Sequence, residues 1–286
     1  MTVELSVLLL LLAIIIILRF VSWFGLKGLN RLAGSSATAV RQIRAREGVA
    51  GLSLRFKQAY PKTFRVVKAR LTPHHFSGLP LTLMLIAALY IAALFGGLIE
   101  ELLEAEELVL LDEWLNQQLT VLRTEQLITA FSWLTDLGGS PVLVAVAIVT
   151  TGLLWAHRRT SLIAPLWLTI IGSQITTYVG KYVLARPRPE VVTDIVEVTH
   201  SFPSGHSTSA MAVYGFLAYI IARDLDTRRR RFEVVYWAAV LICLVGFSRM
   251  LLGVHYASDV AAGFLVGIFW LLLGVAIAEH SPTQPG

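Results

Sequence analysis

Long uncharged apolar runs alternate along the chain with short segments that carry most of its charge. A helix that spans a membrane needs about 20 predominantly apolar residues. Seven runs approach that length, and they cover residues 5–24, 80–99, 139–156, 161–182, 205–222, 234–252 and 256–278. The pattern predicts an all-α fold, a polytopic membrane helical bundle. The first run has no basic residue before its apolar core and no small-residue cleavage pattern after it, so we expect a retained helix and not a signal peptide.

Composition excludes most classes of soluble protein. The 286 residues are 56% hydrophobic and 15% charged, with a mean hydropathy of +0.69, whereas soluble domains are about a quarter charged. A single cysteine excludes a disulfide scaffold. The net charge of +5 and the pI of about 9.5 would indicate nucleic-acid binding in a soluble protein, so the distribution of that charge decides its meaning.

The charge follows the sidedness of the predicted loops. Residues 25–79 hold eleven Lys or Arg against one Glu, and short loops this basic stay on the cytoplasmic side. The loops 157–160 and 223–233 are also net positive, whereas 100–139 holds nine acidic residues against one Arg. This pattern predicts a multi-pass protein of a cell membrane, bacterial by our interpretation, with the N-terminus outside and the C-terminus in the cytoplasm.

The chain divides into three predicted parts. A transmembrane helix at 1–24 is followed by a basic cytoplasmic segment at 25–79 and by a six-helix membrane domain at 80–280. Nucleic acid and anionic lipid headgroups both bind basic segments, and the position of 25–79 beside a membrane span favours lipid. We therefore predict a bilayer partner for this segment and no nucleic acid.

Two further patterns concern the packing of the six-helix domain. Residues 100–123 mix acidic and apolar side chains, which is typical of a helix that lies along the outer interface. We expect a connector there in preference to a lid over the site. Gly263 and Gly267 form a GxxxG pattern in the last span, which predicts close helix packing.

Two motifs with anion-binding groups lie at the outer ends of predicted spans. Lys181 ends the fourth span and Arg188 follows seven residues later; such cations face a polar site or reach to the interface. The sequence Ser204-Gly205-His206 opens the fifth span, and the free N–H groups at a helix N-terminus bind anions. The alternative is a Ser cap beside an interfacial histidine.

A third motif joins the sixth and seventh spans and holds Arg249, His255 and Asp259. An aspartate four residues after a histidine can accept the imidazole Nδ1–H and leave the Nε2 lone pair free. A carboxylate buried in a membrane helix needs partners, and we expect His255 and Arg249 to supply them. The alternative is a neutralised charge cluster that joins two helices.

The predicted topology places all three motifs at the outer face. Three cations, a helix N-terminus and two histidines suit a tetrahedral dianion, which indicates phosphate. The cations could provide the charge stabilisation that Mg²⁺ provides in other phosphoryl-transfer enzymes. The sequence contains no HExxH, no cysteine cluster and no P-loop, so we predict neither a metal nor a cofactor.

These motifs resemble the three-part signature of the type-2 phosphatidic acid phosphatase family, K-x6-R-P, P-S-G-H and S-R-x5-H-x3-D. The chain reads Lys181-x6-Arg188-Pro189, Pro203-Ser204-Gly205-His206 and Ser248-Arg249-x5-His255-x3-Asp259. The match covers 181–259, and the six spans from residue 80 onward resemble the six-helix phosphatase core of the family. The resemblance extends to the soluble vanadium-dependent haloperoxidases, against which the membrane spans argue.

The resemblance implies a metal-independent lipid phosphatase that works through a phosphohistidine. His255 would be the nucleophile, Asp259 would orient it, and His206 would be the general acid and base. The implied phosphate-binding residues are Lys181, Arg188, Ser204, Gly205 and Arg249.

The position of the site favours a lipid substrate whose headgroup enters the pocket from the membrane surface. The family implies undecaprenyl pyrophosphate, phosphatidic acid, phosphatidylglycerol phosphate or lipid A phosphates, and the sequence does not choose among them. One alternative is a lipid phosphotransferase that uses the same phosphohistidine. Another is a non-catalytic transporter or scaffold, which would not need the histidine–aspartate pair.

Overall fold

The computed structural model describes residues 3–44, 55, 57–70, 78–190 and 197–280. Over these ranges the chain is helical with no strand, which confirms the predicted all-α class. The helices are α1 (Val3–Arg44), α2 (Pro61–Arg70), α3 (Leu79–Glu104), α4 (Glu106–Thr120), α5 (Glu125–Asp136), α6 (Ser140–Ala156), α7 (Ile163–Leu184), α8 (Gly205–Asp224), α9 (Arg228–Leu251) and α10 (Ala257–His280). A 3-10 turn at Thr160–Leu162 precedes α7.

The chain separates into two compact units, Met1–Leu83 and Met84–Gly286. In the first unit, the apolar part of α1 is exposed on all sides, which suits a surface surrounded by lipid. α1 continues past residue 24, where the predicted span ends, and reaches Arg44. Helix propagation adds one hydrogen bond for each residue fixed, so a helix does not stop where its apolar run stops.

Six helical segments of the described chain are long and apolar enough to cross a membrane. They are Leu5–Gly28, Leu79–Glu104, Glu125–Ala156, Thr160–Leu184, Arg228–Leu251 and Ala257–His280. The remaining predicted span, 205–222, forms α8, whose first turns carry His, Ser and Thr and are less apolar. Because α8 packs against α6, α7, α9 and α10, these residues face protein, where polar groups find partners.

Small residues let α10 lie directly against α8. A Cβ added to Gly263 would lie 2.7 Å from the carbonyl oxygen of Ser204, and one added to Gly267 would lie 2.5 Å from Cβ of Met211. Both distances are shorter than any real contact, so only glycine permits this approach. The packing role predicted for the GxxxG pattern is confirmed.

Four helix ends meet at one end of the second unit and form the candidate site. α7 ends at Leu184 and is capped by Ala185, which adopts the left-handed conformation with φ 45°. α8 begins after Ser204, whose side chain accepts a hydrogen bond from Ser207 N. Between α9 and α10 the chain turns through Gly253, with φ 71°. These turns direct the residues of all three motifs to the same end of the bundle.

Helix α4 contributes to this end as well. The predicted helix within 100–123 is present, and Leu110 and Trp114 are exposed as expected of an interfacial connector. Asp112 on the same helix is fully buried. A buried carboxylate requires a partner, and the partner of Asp112 lies in the candidate site.

Candidate active site

A buried histidine–aspartate pair lies where α10 begins. Asp259 stands in the first turn of α10, and its Oδ2 lies 3.4 Å from Nδ1 of His255. The backbone N–H of Tyr256 donates to the same oxygen at 2.9 Å. Burial lowers the pKa of His255 to about 4 in spite of the neighbouring carboxylate, so the imidazole is neutral at pH 7. A neutral ring that gives its Nδ1–H to Asp259 carries its lone pair on Nε2.

Arg188 approaches the other side of this imidazole. Its Nη1 lies 3.2 Å from His255 Nε2 and donates to the Val254 carbonyl at 2.6 Å. Its Nε donates to the carbonyl of Thr199 at 2.7 Å. The Thr199 hydroxyl also accepts from Lys181 Nζ at 3.2 Å. Lys181 and Arg188 thus converge on the side of His255 from which Nε2 would attack.

Arg249 is almost wholly buried between the site and α5. Its Nη1 donates to the Thr135 hydroxyl at 3.1 Å, whereas its Nε has no hydrogen-bond partner among the described residues. A buried N–H without a partner costs about 1–3 kcal/mol. This orphaned donor, on a permanent cation beside His255, is suited to an anion.

The expected contact between Arg249 and Asp259 is absent from the described ion pairs. Asp259 instead pairs with Arg186, whose Nη1 lies 2.7 Å from Asp259 Oδ1. Arg249 pairs with Glu197. The expectation was wrong because helical spacing fixes contacts within one helix, whereas contacts between helix ends depend on the path of the connecting segments.

The Ser204-Gly205-His206 motif forms the N-terminus of α8 beside these cations. Ser204 is buried, its N–H donates to the Asp259 carbonyl at 2.9 Å, and its hydroxyl accepts from the Ser207 hydroxyl at 2.9 Å. The hydroxyl proton of Ser204 remains available to donate. His206 lies close enough to interact electrostatically with Arg249 and His255. All eight predicted site residues therefore lie at the same end of the bundle.

Glu197 is a site residue that the sequence did not indicate. Its carboxylate pairs with Arg249 and lies 3.4 Å from Nη2 of Arg188. Burial raises the pKa of Glu197, but the two arginines outweigh it and hold the pKa below its usual value. An anion thus already bridges two of the predicted phosphate ligands. In the sequence, Glu197 is one acid in a polar loop, and no motif distinguishes it.

Arg186, Asp112 and Ser258 form a second group that the sequence analysis missed. Arg186 Nη2 lies 2.8 Å from Asp112 Oδ2, and Arg186 Nη1 donates to the Ser258 hydroxyl at 2.7 Å. The only sequence signal for this group is the pair of arginines at 186 and 188, which raises the charge of the first motif from +2 to +3.

The donor set of the site is cationic. Among the residues that the structure describes, no three His, Cys, Asp or Glu side chains lie together in a way that could hold a metal ion. Lysine, arginine, a serine hydroxyl and a helix N-terminus are instead the groups with which proteins bind phosphate oxygens.

Comparison with known proteins agrees with this chemistry. The model of the PAP2 superfamily matches residues 162–281. Phosphatidylglycerophosphatase B of Bacillus subtilis (strain 168) is 32% identical over 167 residues, which are 57% of this chain and 82% of that protein. An undecaprenyl-diphosphatase of Sulfolobus acidocaldarius is 30% identical over 148 residues, 49% of this chain and 66% of that protein.

A solved structure extends the similarity to the fold. The crystal structure of a transmembrane PAP2-type phosphatidylglycerolphosphate phosphatase from Bacillus subtilis resembles this chain with a TM-score of 0.61 and 27% identity, over 66% of this chain and 94% of that one. Fold and site together define an integral membrane phosphatase. The chain belongs to the PAP2 superfamily and is a multi-pass lipid phosphatase, which confirms the resemblance carried by the three motifs.

Proposed function

We propose that this enzyme hydrolyses a lipid phosphate through a phosphohistidine on His255. The observation that carries the proposal is the imidazole of His255, with Asp259 Oδ2 at 3.4 Å from Nδ1 and Arg188 Nη1 at 3.2 Å from Nε2. In the first step the Nε2 lone pair attacks phosphorus, and the bond from phosphorus to the lipid oxygen breaks. The protonated form of His206 gives its proton to the leaving oxygen.

The second step returns the enzyme to its starting state. Neutral His206 takes a proton from water as the water oxygen attacks phosphorus. The bond from phosphorus to His255 Nε2 breaks, and inorganic phosphate leaves. His206 is again protonated and His255 again neutral, so one lipid phosphate and one water give one lipid alcohol and one phosphate.

The cations stabilise the charge that moves through both steps. Lys181, Arg188 and Arg249 would bind the phosphoryl oxygens, together with the Ser204 hydroxyl and the Gly205 N–H at the start of α8. Such preorganised donors act in a site of low water content without reorganising during the reaction. We propose that they replace a metal, so activity should persist in EDTA; strict dependence on a divalent cation would contradict this part of the proposal.

Phosphatidylglycerol phosphate is the first substrate to test, because the similar sequence and the similar solved structure, both from Bacillus subtilis, are named for that activity. Undecaprenyl pyrophosphate follows, because another relative is named for it. Phosphatidic acid and lipid A phosphates complete the panel. Purified protein in detergent should release inorganic phosphate from at least one of them. Labelled phosphate transferred to a second lipid in place of water would identify a phosphotransferase.

Two variants test the phosphohistidine. His255→Ala should abolish both turnover and phosphoenzyme, and substantial remaining turnover would exclude His255 as the nucleophile. His206→Ala should accumulate phosphoenzyme from p-nitrophenyl phosphate, because this leaving group departs without a proton whereas attack by water still needs a base. Thr160→Ala is the matched control, since Thr160 lies in the 3-10 turn outside the site.

We propose that the site faces the outer side of a bacterial cytoplasmic membrane, on the basis of the positive loops at 25–79, 157–160 and 223–233. Alkaline phosphatase, which is active only after export, should be active when fused after residue 195 and inactive when fused after residue 60. The reverse pattern would overturn the orientation.

We propose further that the basic segment binds anionic headgroups. In α2, Lys62, Arg65 and Lys68 have exposed side chains, and each basic residue near an anionic membrane contributes about 1 kcal/mol. Replacing the three by Gln should weaken the binding of a peptide of residues 25–79 to vesicles that contain phosphatidylglycerol. Equal binding to neutral vesicles would contradict an electrostatic origin.

A further inference from the structure

A buried arginine contacts Asp259, the aspartate that holds the proposed nucleophile through Nδ1. Arg186 pairs through Nη1 with Asp259 and through Nη2 with Asp112, at 2.7 and 2.8 Å. Its guanidinium carbon lies 4.3 Å from the ring centroid of Tyr256. Its donors are engaged by Ser258, Asp259 and Asp112, so Arg186 is not placed to bind phosphate.

The two oxygens of Asp259 bind different partners. Asp259 Oδ1 accepts from Arg186, which leaves Oδ2 for His255 Nδ1 and for the Tyr256 N–H. A carboxylate held at both oxygens cannot rotate. The plane of the His255 ring therefore depends on Arg186, which acts through Asp259.

Asp112 fixes Arg186 and the start of α10 at the same time. Its Oδ1 accepts the Ser258 N–H at 3.0 Å, and its Oδ2 accepts from the Ser258 hydroxyl and from Arg186. A carboxylate at a helix N-terminus satisfies free N–H groups and is favoured by the helix dipole. Asp112 thus anchors the turn that carries Asp259 to helix α4.

The four groups are buried, so their charges depend on each other. Asp112, Asp259 and His255 are each 3% exposed or less, and Arg186 is 8% exposed. Burial alone would lower the pKa of Arg186, but Asp259 and Asp112 outweigh it and raise the pKa. Removal of one partner leaves an uncompensated buried charge, which destabilises the arrangement of the remaining groups.

We propose that Arg186 and Asp112 are positioning residues for the nucleophile, acting through Asp259 on His255. This inference rests on the proposed role of His255. It assigns a function to helix α4, which otherwise only connects two spans. It also explains why the first motif carries two arginines: Arg188 faces the phosphate and Arg186 faces the carboxylate.

The test separates orientation of the nucleophile from binding of phosphate. Full-length protein in detergent is mixed with a lipid phosphate whose phosphoryl group carries radioactive phosphorus, and the reaction is quenched in alkali, in which phosphohistidine survives. Arg186→Gln should slow phosphoenzyme formation about 100-fold, the effect expected of a misplacement near 1 Å. The inhibition constant for inorganic phosphate, which reports binding alone, should not change. Arg186→Lys, which keeps the charge but not the fork of two donors, should lie between.

Asp112→Asn should slow the same step, and the double variant with Arg186→Gln should be no slower than the slower single variant, because the residues act as one unit. Ser258→Ala removes a hydroxyl that contacts both residues and leaves the charge unchanged, so it provides the test if the charge variants do not fold. It should slow phosphoenzyme formation less than the charge variants do. Arg159→Gln, which removes an exposed ion pair with Asp224, is the control and should not change the rate.

Three results would test the positioning role of Arg186. A normal rate of phosphoenzyme formation in Arg186→Gln would overturn the inference. A raised inhibition constant for phosphate would also overturn it, because Arg186 would then be a phosphate ligand. If the unmodified protein forms no phosphoenzyme at all, the proposed role of His255 has failed, and this outcome is visible before any Arg186 variant is examined.

Discussion

Replacing Gly263 by Ala should lower the activity of the enzyme, although Gly263 is not one of the proposed site residues. Gly263 lies on α10 where that helix meets the N-terminus of α8, and a Cβ there would lie 2.7 Å from the Ser204 carbonyl oxygen. Ordinary contact begins near 3.4 Å, so the two backbones must separate by about 0.7 Å. That separation would stretch the 2.9 Å hydrogen bond from Ser204 N to the Asp259 carbonyl.

The magnitude follows from what this hydrogen bond connects. It links the motif of His206 to the helix of Asp259, so the proposed acid and the proposed nucleophile move apart together with the two backbones. A misplacement near 1 Å costs up to about 100-fold in rate, and we expect kcat/KM to fall between tenfold and 100-fold on that basis. Overpacking should also lower stability by about 1–3 kcal/mol, partly offset by about 1 kcal/mol from the helix propensity of Ala.

The assay is phosphate release at several substrate concentrations, with the thermal unfolding midpoint measured on the same preparation. Gly152→Ala is the matched control, because Gly152 is also helical and a Cβ there meets nothing within 4 Å. The control should keep its activity, and its unfolding midpoint should rise slightly because Ala favours the helix more than Gly does. If Gly263→Ala is as active as the unmodified enzyme, the rigid coupling between α8 and α10 is not needed for catalysis, and our reasoning is wrong.

Three further predictions concern single residues. Glu197→Gln should lower KM, because a neutral amide competes less well than a carboxylate for Arg188 and Arg249; an unchanged KM in steady-state kinetics would show that Glu197 does not obstruct the pocket. Ala185→Gly should raise the unfolding midpoint, because Ala185 has φ 45° and a left-handed residue other than Gly costs roughly 1–2 kcal/mol; a lower midpoint would contradict this. The imidazole of His255 should stay neutral as the pH falls from 7 to about 5, because its pKa is lowered to about 4. Native stability should then decrease between about pH 6.5 and pH 4, since the unfolded chain binds the proton first, and a nitrogen-15 titration that shows a midpoint near 6.5 would refute the lowered pKa.

The spans and the three motifs were predictable because each depends on neighbouring residues. An apolar run of about 20 residues has few alternatives to a membrane helix, and the pair His255 and Asp259 follows from a spacing of four. α8 was predicted as a span from its uncharged run, although its composition is less apolar than that of the other spans. Its position at the centre of the bundle, where polar side chains are satisfied by other helices, explains the difference.

The partners of the buried charges could not be predicted. Asp112 and Arg186 are separated by 74 residues and meet only because α4 packs beside the turn at Ala185. Glu197 likewise reaches Arg249 across 52 residues. No periodicity in the sequence records such contacts, which is why Arg249 was wrongly expected to be the second partner of Asp259.

Inorganic phosphate leaves a pocket in which Glu197 is a tethered competitor for the same two arginines. The effective concentration of a group on a short linker is about millimolar, and it does not fall as free phosphate diffuses away. The site holds four cations (Lys181, Arg186, Arg188 and Arg249) and two aspartates (Asp112 and Asp259), which leaves an excess of two positive charges. This excess equals the charge of one phosphate dianion, and Glu197 neutralises only one of the two charges. The resting enzyme therefore attracts an anionic headgroup, yet it carries its own means of shortening the residence time of the product.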